Sequence, residues 1–179
     1  MKISGAYTLA VFQERAFALL QNPEVLARAM PGCESLDRVG DNEYVMKMKM
    51  VLASMSGLFE GRVRISDFNP PSSFRLIVEG KGKIGFMRGE GLLTLTPAGS
   101  GSGSGSDSVM GSSSGPGSGS SSGFGSAMGC HVQYEGDVQV GGTIAAVGQR
   151  LLDTTSRLLI KRFFEKLNGE ASAVAHFVA

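Results

Sequence analysis

The chain has 179 residues, 42% of them hydrophobic, and a formal net charge of +1 from 17 basic and 16 acidic side chains. That is enough chain for one domain with a real core and too little for two. The charges are well mixed, with no Lys/Arg block and no interleaving of basic and aromatic residues, which sets nucleic acid aside as a partner.

Lys2 to Leu9, with Ile3, Tyr7 and Thr8, suits a strand. Apolar residues from Phe12 to Leu20 fall at helical spacing. Asn22 before Pro23 is an N-cap followed by proline at the first helical position, and the short helix it starts should stop before Pro31-Gly32. The period then changes to two. Ser35 to Val39 is a candidate strand, and Gly40-Asp41-Asn42 is a turn. Tyr44, Met46, Met48 and Met50 alternate with Val45, Lys47, Lys49 and Val51. Phe59, Gly61, Val63 and Ile65 share one face of the next strand, which Asn69-Pro70-Pro71 closes. Phe74, Leu76, Val78, Gly80 and Gly82 follow, then Met87, Gly89, Gly91, Leu93 and Leu95. After a Ser/Gly stretch come Val132, Tyr134, Gly136, Val138 and Val140. Short turns between such strands make an antiparallel sheet with one wet and one dry face.

From Thr143 to about Asn168 the helical period returns. Ile144, Val147, Leu151, Thr155, Leu158, Leu159, Arg162 and Phe163 form one stripe, and Asn168-Gly169 supplies a stop. Such a helix is about 37 Å long and can cover the whole dry face. The order implies an α+β domain over residues 1–168, with a curved antiparallel sheet around a long C-terminal helix. A flexible Ser/Gly insertion at 99–129 would separate the last two strands, and 169–179 would be a short tail.

Gly61, Gly80, Gly82, Gly89, Gly91 and Gly136 fall on the dry face. They either empty the space between sheet and helix or mark bends that let the sheet curl. Met46, Met48, Met50, Met55 and Met87 lie in or beside the sheet, where methionine lines adaptable apolar surfaces or simply fills gaps in a core.

Catalytic machinery is not evident. His131 and His176 have no suitable neighbours, and Cys130 and His131 are adjacent on a strand and point to opposite faces. No ligand set for a metal emerges, and Cys33 and Cys130 do not make a disulfide scaffold. Glu60, Glu79, Glu135 and Asp137 fall on the wet face, and no pair of carboxylates shares a pocket. Gly85 to Gly89 is not a phosphate loop. The first residues lack a signal-peptide pattern and no run of apolar residues is long enough to span a membrane, so a cytoplasmic location is expected.

Two segments carry a family resemblance: Asn22-Pro23-Glu24-Val25-Leu26-Ala27-Arg28-Ala29-Met30-Pro31-Gly32-Cys33-Glu34-Ser35-Leu36, and Tyr134 to Gly142 continuing through Ala146 to Asp153. Gly57 to Val63 and Asp67 to Pro71 also fit. The chain resembles the carbon monoxide dehydrogenase CoxG family within the START-like (SRPBCC) superfamily. The resemblance implies a helix-grip fold and a non-catalytic accessory role beside molybdenum hydroxylases of the carbon monoxide dehydrogenase type. It further implies help with enzyme assembly or recruitment to the inner face of the cell membrane, and a quinone or lipid held in an internal cavity. Some relatives carry an apolar C-terminal extension where this sequence stops at Ala179, so membrane contact is expected to be peripheral or partner-mediated.

On that reading Tyr44, Met46, Met48, Phe59, Phe74, Leu76, Met87, Leu93 and Tyr134 would line the cavity, with Leu151, Leu152 and Leu158 as its helical wall. Gly80, Gly89 and Gly136 would give it room, and Tyr44 or Tyr134 would hold a polar head. No cofactor or metal is implied. Two alternatives stay open: a START-like enzyme of the cyclase or dehydratase type, and a filled-core scaffold acting only through its surface.

Overall fold

The computed structural model describes residues 1–52, 54–99 and 129–175. The Ser/Gly segment at 100–128 and His176 lie outside the described residues. Seven strands form one antiparallel sheet: β1 (Lys2–Leu9), β2 (Cys33–Gly40), β3 (Glu43–Leu52), β4 (Met55–Asn69), β5 (Ser73–Gly82), β6 (Gly85–Pro97) and β7 (Cys130–Gly141). Their spatial order is β1-β7-β6-β5-β4-β3-β2, so the first strand closes the sheet beside the last. Helices α1 (Gln13–Leu19) and α2 (Pro23–Ala29) connect β1 to β2, and α3 (Gln149–Ala175) follows β7. This is the α+β arrangement expected from the change of period.

Local chemistry explains the joints. The Asn22 side chain accepts from the Glu24 and Val25 amides at 3.0 and 3.4 Å, and Pro23 occupies the first helical turn. Gly32 has φ +79°, and a Cβ there would run into the Lys49 carbonyl oxygen, so only glycine carries α2 into β2. Beyond β6, the Ala98 amide donates to the Gly129 carbonyl at 2.9 Å, so the chain leaves and re-enters the β6–β7 hairpin at adjacent points.

Register puts the glycines in opposed pairs: Gly61 faces Gly80, and Gly91 faces Gly136. A Cβ on Gly61 would strike the Glu79 carbonyl oxygen, and one on Gly136 would come within 2.6 Å of the Glu90 carbonyl oxygen. At these two positions the neighbouring backbone sits where a side chain would be, which is the geometry of a bend. Gly89 differs, because its Cβ would make ordinary contact with Val138 at 3.4 Å.

The final helix departs from the expectation at both ends. Thr143–Val147 is a 3₁₀ turn, and α3 begins only after Gly148 with φ +92°. Nor does α3 stop at Asn168-Gly169; it runs to Ala175, so residues 169–175 are helix rather than tail. Leu167 and Ala171, one turn apart, are both fully buried, and the Asn168 side chain accepts from the Ala10 amide at 2.9 Å. Packing of that stripe outweighs the weak helix propensity of Asn and Gly.

The main core gathers Leu9, Ala16, Leu95, Cys130, Val132, Phe164, Leu167 and Ala171, where α1, α2 and the C-terminal half of α3 meet the sheet. A smaller cluster of Leu52, Phe59 and Ile144, joined by Ile84 and Leu152, sits at the other end of the sheet.

Candidate functional site

Between the sheet and α3, bordered by residues of the main core, lies a cavity of about 330 Å³ that is partly open to solvent. Its floor is the dry face. β3 supplies Tyr44, Met46 and Met48, each less than one-tenth exposed, and β5 supplies Phe74 and Leu76. Met87 and Leu93 come from β6 and Tyr134 from β7, with Gly89, Gly91 and Gly136 between them.

The roof differs from the expected one. Leu159, Ile160, Phe163 and Phe164 of α3 face the cavity. Leu151 and Leu158 point outward, 37% and 45% exposed, and Leu152 packs with the smaller cluster. The stripe drawn from Ile144 through Leu151 fails because the 3₁₀ turn and Gly148 reset the helical phase. Reading backward from Phe163 and Leu167 gives the buried face. Phe59, directly opposite the floor residue Met48, is likewise part of the smaller cluster and does not border the cavity. Gly80 does not border the cavity. A side wall of Leu20, Leu26, Met30, Pro31 and Leu36 was not anticipated, although Leu26 and Met30 are one helical turn apart.

Few polar groups reach this space. The Tyr44 hydroxyl donates to the Gln21 carbonyl at 3.4 Å, so it is already engaged. The Tyr134 hydroxyl has no hydrogen-bond partner among the described residues. Its ring stacks with Phe164 at 6.1 Å between centroids, and Phe164 stacks with Tyr7 at 4.7 Å. Burial pushes the Tyr134 phenol above its ordinary value, Tyr7 pushes the same way, and Arg157 opposes them. Glu90 and Glu135 border the cavity with exposed side chains, that of Glu90 paired with Arg75.

Among the described residues, no three His, Cys, Asp or Glu side chains gather as a metal site. His131 is exposed on β7, an inner strand, with Nδ1 2.8 Å from the Thr8 hydroxyl. Cys33 and Cys130 are free thiols raised above their ordinary value, chiefly by burial. No helix among the described residues is long and apolar enough to cross a membrane.

A family model for the carbon monoxide dehydrogenase component CoxG matches residues 5–105 and 83–172. No curated protein matches the sequence. Among solved structures, a conserved protein from Geobacillus kaustophilus is similar at 26% identity and TM-score 0.78, covering 97% of this chain and 96% of that one. A START superfamily protein from Mycobacterium smegmatis is 12% identical with TM-score 0.62, covering 97% and 98% of the two chains. The Zhui aromatase/cyclase from Streptomyces sp. R1128 is 11% identical with TM-score 0.58, covering 96% and 93%. The last two share the fold alone, a helix-grip arrangement of sheet and C-terminal helix.

Proposed function

The chain belongs to the carbon monoxide dehydrogenase CoxG family, and from that footing we propose that it is a non-catalytic accessory protein carrying an apolar ligand in its internal cavity. The cavity between sheet and α3 is the observation that carries the reading. It lies at the lower end of the size range of small-molecule sites and its walls are almost wholly apolar. The ligand we infer is a quinone or a lipid of similar bulk. Its body would lie over Met46, Met48 and Leu76, and its tail would leave through the open side. Tyr134, the one hydroxyl at the wall without a partner among the described residues, would donate to a carbonyl of the head.

The partner we infer is a molybdenum hydroxylase of the carbon monoxide dehydrogenase type, which the protein would help to assemble or bring to the inner face of the cell membrane. The lack of converging acids or histidines among the described residues at the cavity favours a carrier over a cyclase or dehydratase.

Native mass spectrometry of gently purified protein, with solvent extraction, tests the carrier reading. A co-purifying quinone or lipid is the expected result. An empty protein that also fails to take up added menaquinone or ubiquinone would overturn it.

A further inference from the structure

Sulfur is unevenly placed in this molecule. The chain has 9 methionines and 2 cysteines, and five of these side chains, Met30, Cys33, Met46, Met48 and Met50, belong to one packed cluster. Alternation along β3 puts Met46, Met48 and Met50 on the dry face, where all three border the cavity together with Met30. Register sets Cys33 directly opposite Met48, so thiol and thioether share a face with their Cβ atoms about 5 Å apart. The corner before β2 brings Met30 to the same place. There the Cys33 amide donates to the Met30 carbonyl at 3.2 Å, and the Lys49 amide donates to the Gly32 carbonyl at 2.7 Å.

Packing alone does not call for this composition. Strands ordinarily fill a dry face with branched or aromatic side chains, as the neighbouring β4 does with Val63 and Ile65. Methionine has three rotatable bonds and a polarisable sulfur, so adjacent thioethers can turn toward one point. Met46 and Met48 are buried, whereas Met30, Cys33 and Met50 are half-buried, which gives the cluster an entry from the surface at the α2–β2 corner. The residues opposite the β3 methionines are Leu36, Cys33, Gly57, Phe59 and Gly61, none of them a carboxylate or an imidazole. A hard cation finds no oxygen ligand among them, whereas thiolate and thioether donors select Cu(I).

We propose that Cys33, Met30, Met48 and Met50 form a Cu(I) site at the α2–β2 corner. The Cys33 thiolate supplies the negative charge that balances the cation in an apolar setting, and the thioethers complete the coordination. The thiol proton, which is donated to the Ser35 carbonyl at 3.4 Å, leaves to solvent on binding. An Sγ–Cu bond takes its place, and the copper stays Cu(I) throughout. The site does not rest on the carrier reading, because its test involves no quinone.

The test is an anaerobic titration of the full, reduced chain with Cu(I) against bicinchoninate, a coloured competitor for that ion. One Cu(I) retained per chain is expected, with X-ray absorption showing sulfur neighbours alone. Cys33→Ser and Met48→Leu should each lower the affinity at least about tenfold, the scale on which even outer partners of a metal matter. Met48→Leu conserves volume, so the protein should still fold, which a thermal melt reports. Cys130→Ser and Met55→Leu, elsewhere in the sheet, should bind as the wild type does. Failure to hold Cu(I) against bicinchoninate, or equal affinity in all variants, would overturn the proposal. So would a loss in Cys33→Ser without one in Met48→Leu, since that leaves only a lone thiol.

Discussion

The Tyr134 ring lies flat over Gly5, its directly opposite partner on β1, so closely that a Cβ on Gly5 would come within 2.7 Å of the ring carbon bearing the hydroxyl. The missing side chain of one strand is thus covered by the aromatic ring of the next, and the ring is held at the cavity wall between that glycine and Phe164. Gly5→Ala should push Tyr134 off its seat and cost about 1–3 kcal/mol, as overpacking does. Urea denaturation measures the loss, and a shift in tyrosine fluorescence reports the displaced ring.

Tyr134→Phe removes the hydroxyl and keeps the ring. Stability should change little, because that hydroxyl has no partner to lose among the described residues. Quinone affinity should fall about two- to tenfold, the equivalent of one hydrogen bond. Unchanged affinity in a titration would take Tyr134 out of the site.

The same phenol gives a pH signature. Its folded value is raised above the ordinary value of about 10, chiefly by burial, so the folded protein holds this proton more tightly than the unfolded chain. The corresponding stability is fully present below the unfolded value and is lost as pH rises through the folded one. Ultraviolet titration should show one tyrosine ionising late, and Tyr134→Phe should remove that step.

Gly89 and Gly136 both floor the cavity but should answer differently to substitution. Gly89→Leu has room for its Cβ and projects the rest of its side chain into empty space, so the protein should fold and lose ligand uptake. Gly136→Ala meets the Glu90 carbonyl and should lower stability by about 1–3 kcal/mol. Thermal melts alongside menaquinone uptake distinguish the two outcomes.

On α3 the contrast lies between faces. Leu167→Ala empties a fully buried position and should cost about 2–5 kcal/mol. Leu151→Ala and Leu158→Ala, on the exposed face, should stay within about 0.5 kcal/mol. Chemical denaturation of the three variants is the check.

The sheet is readable in the sequence because its signal is local. Alternation from Tyr44 to Met50 and from Phe74 to Gly82 assigns each residue a face without knowledge of its partners, and most of the floor residues follow from such alternation. Asn22-Pro23 marks α2 for the same reason: a cap acts within one turn. The roof is not readable from the same start. A phase shift of one residue at Gly148 turns the helix by about 100°, so Leu151 and Leu158 of the expected stripe fall outside, while its Leu159 and Phe163 reach the cavity together with Ile160 and Phe164. The family resemblance locates the fold but not that phase. The glycine pairs are ambiguous because a strand that bends and a strand that leaves space both lack side chains; only the position of the opposite carbonyl tells Gly136 from Gly89.

Helix α3 is a beam on two unequal abutments. One is heavy: Phe164, Leu167 and Ala171 set into the main core, with Asn168 tied to Ala10 and Glu170 to Arg28. The other is light, with Leu152 resting on Leu52, Phe59 and Ile144. Between them the span carries Leu159, Ile160 and Phe163 over an unfilled void. Any fluctuation that lifts the beam will start at the lighter bearing, because fewer buried contacts must be broken there. The β3–β4 and β5–β6 hairpins, whose Leu52 and Ile84 belong to that lighter bearing, are therefore where sheet and helix part first.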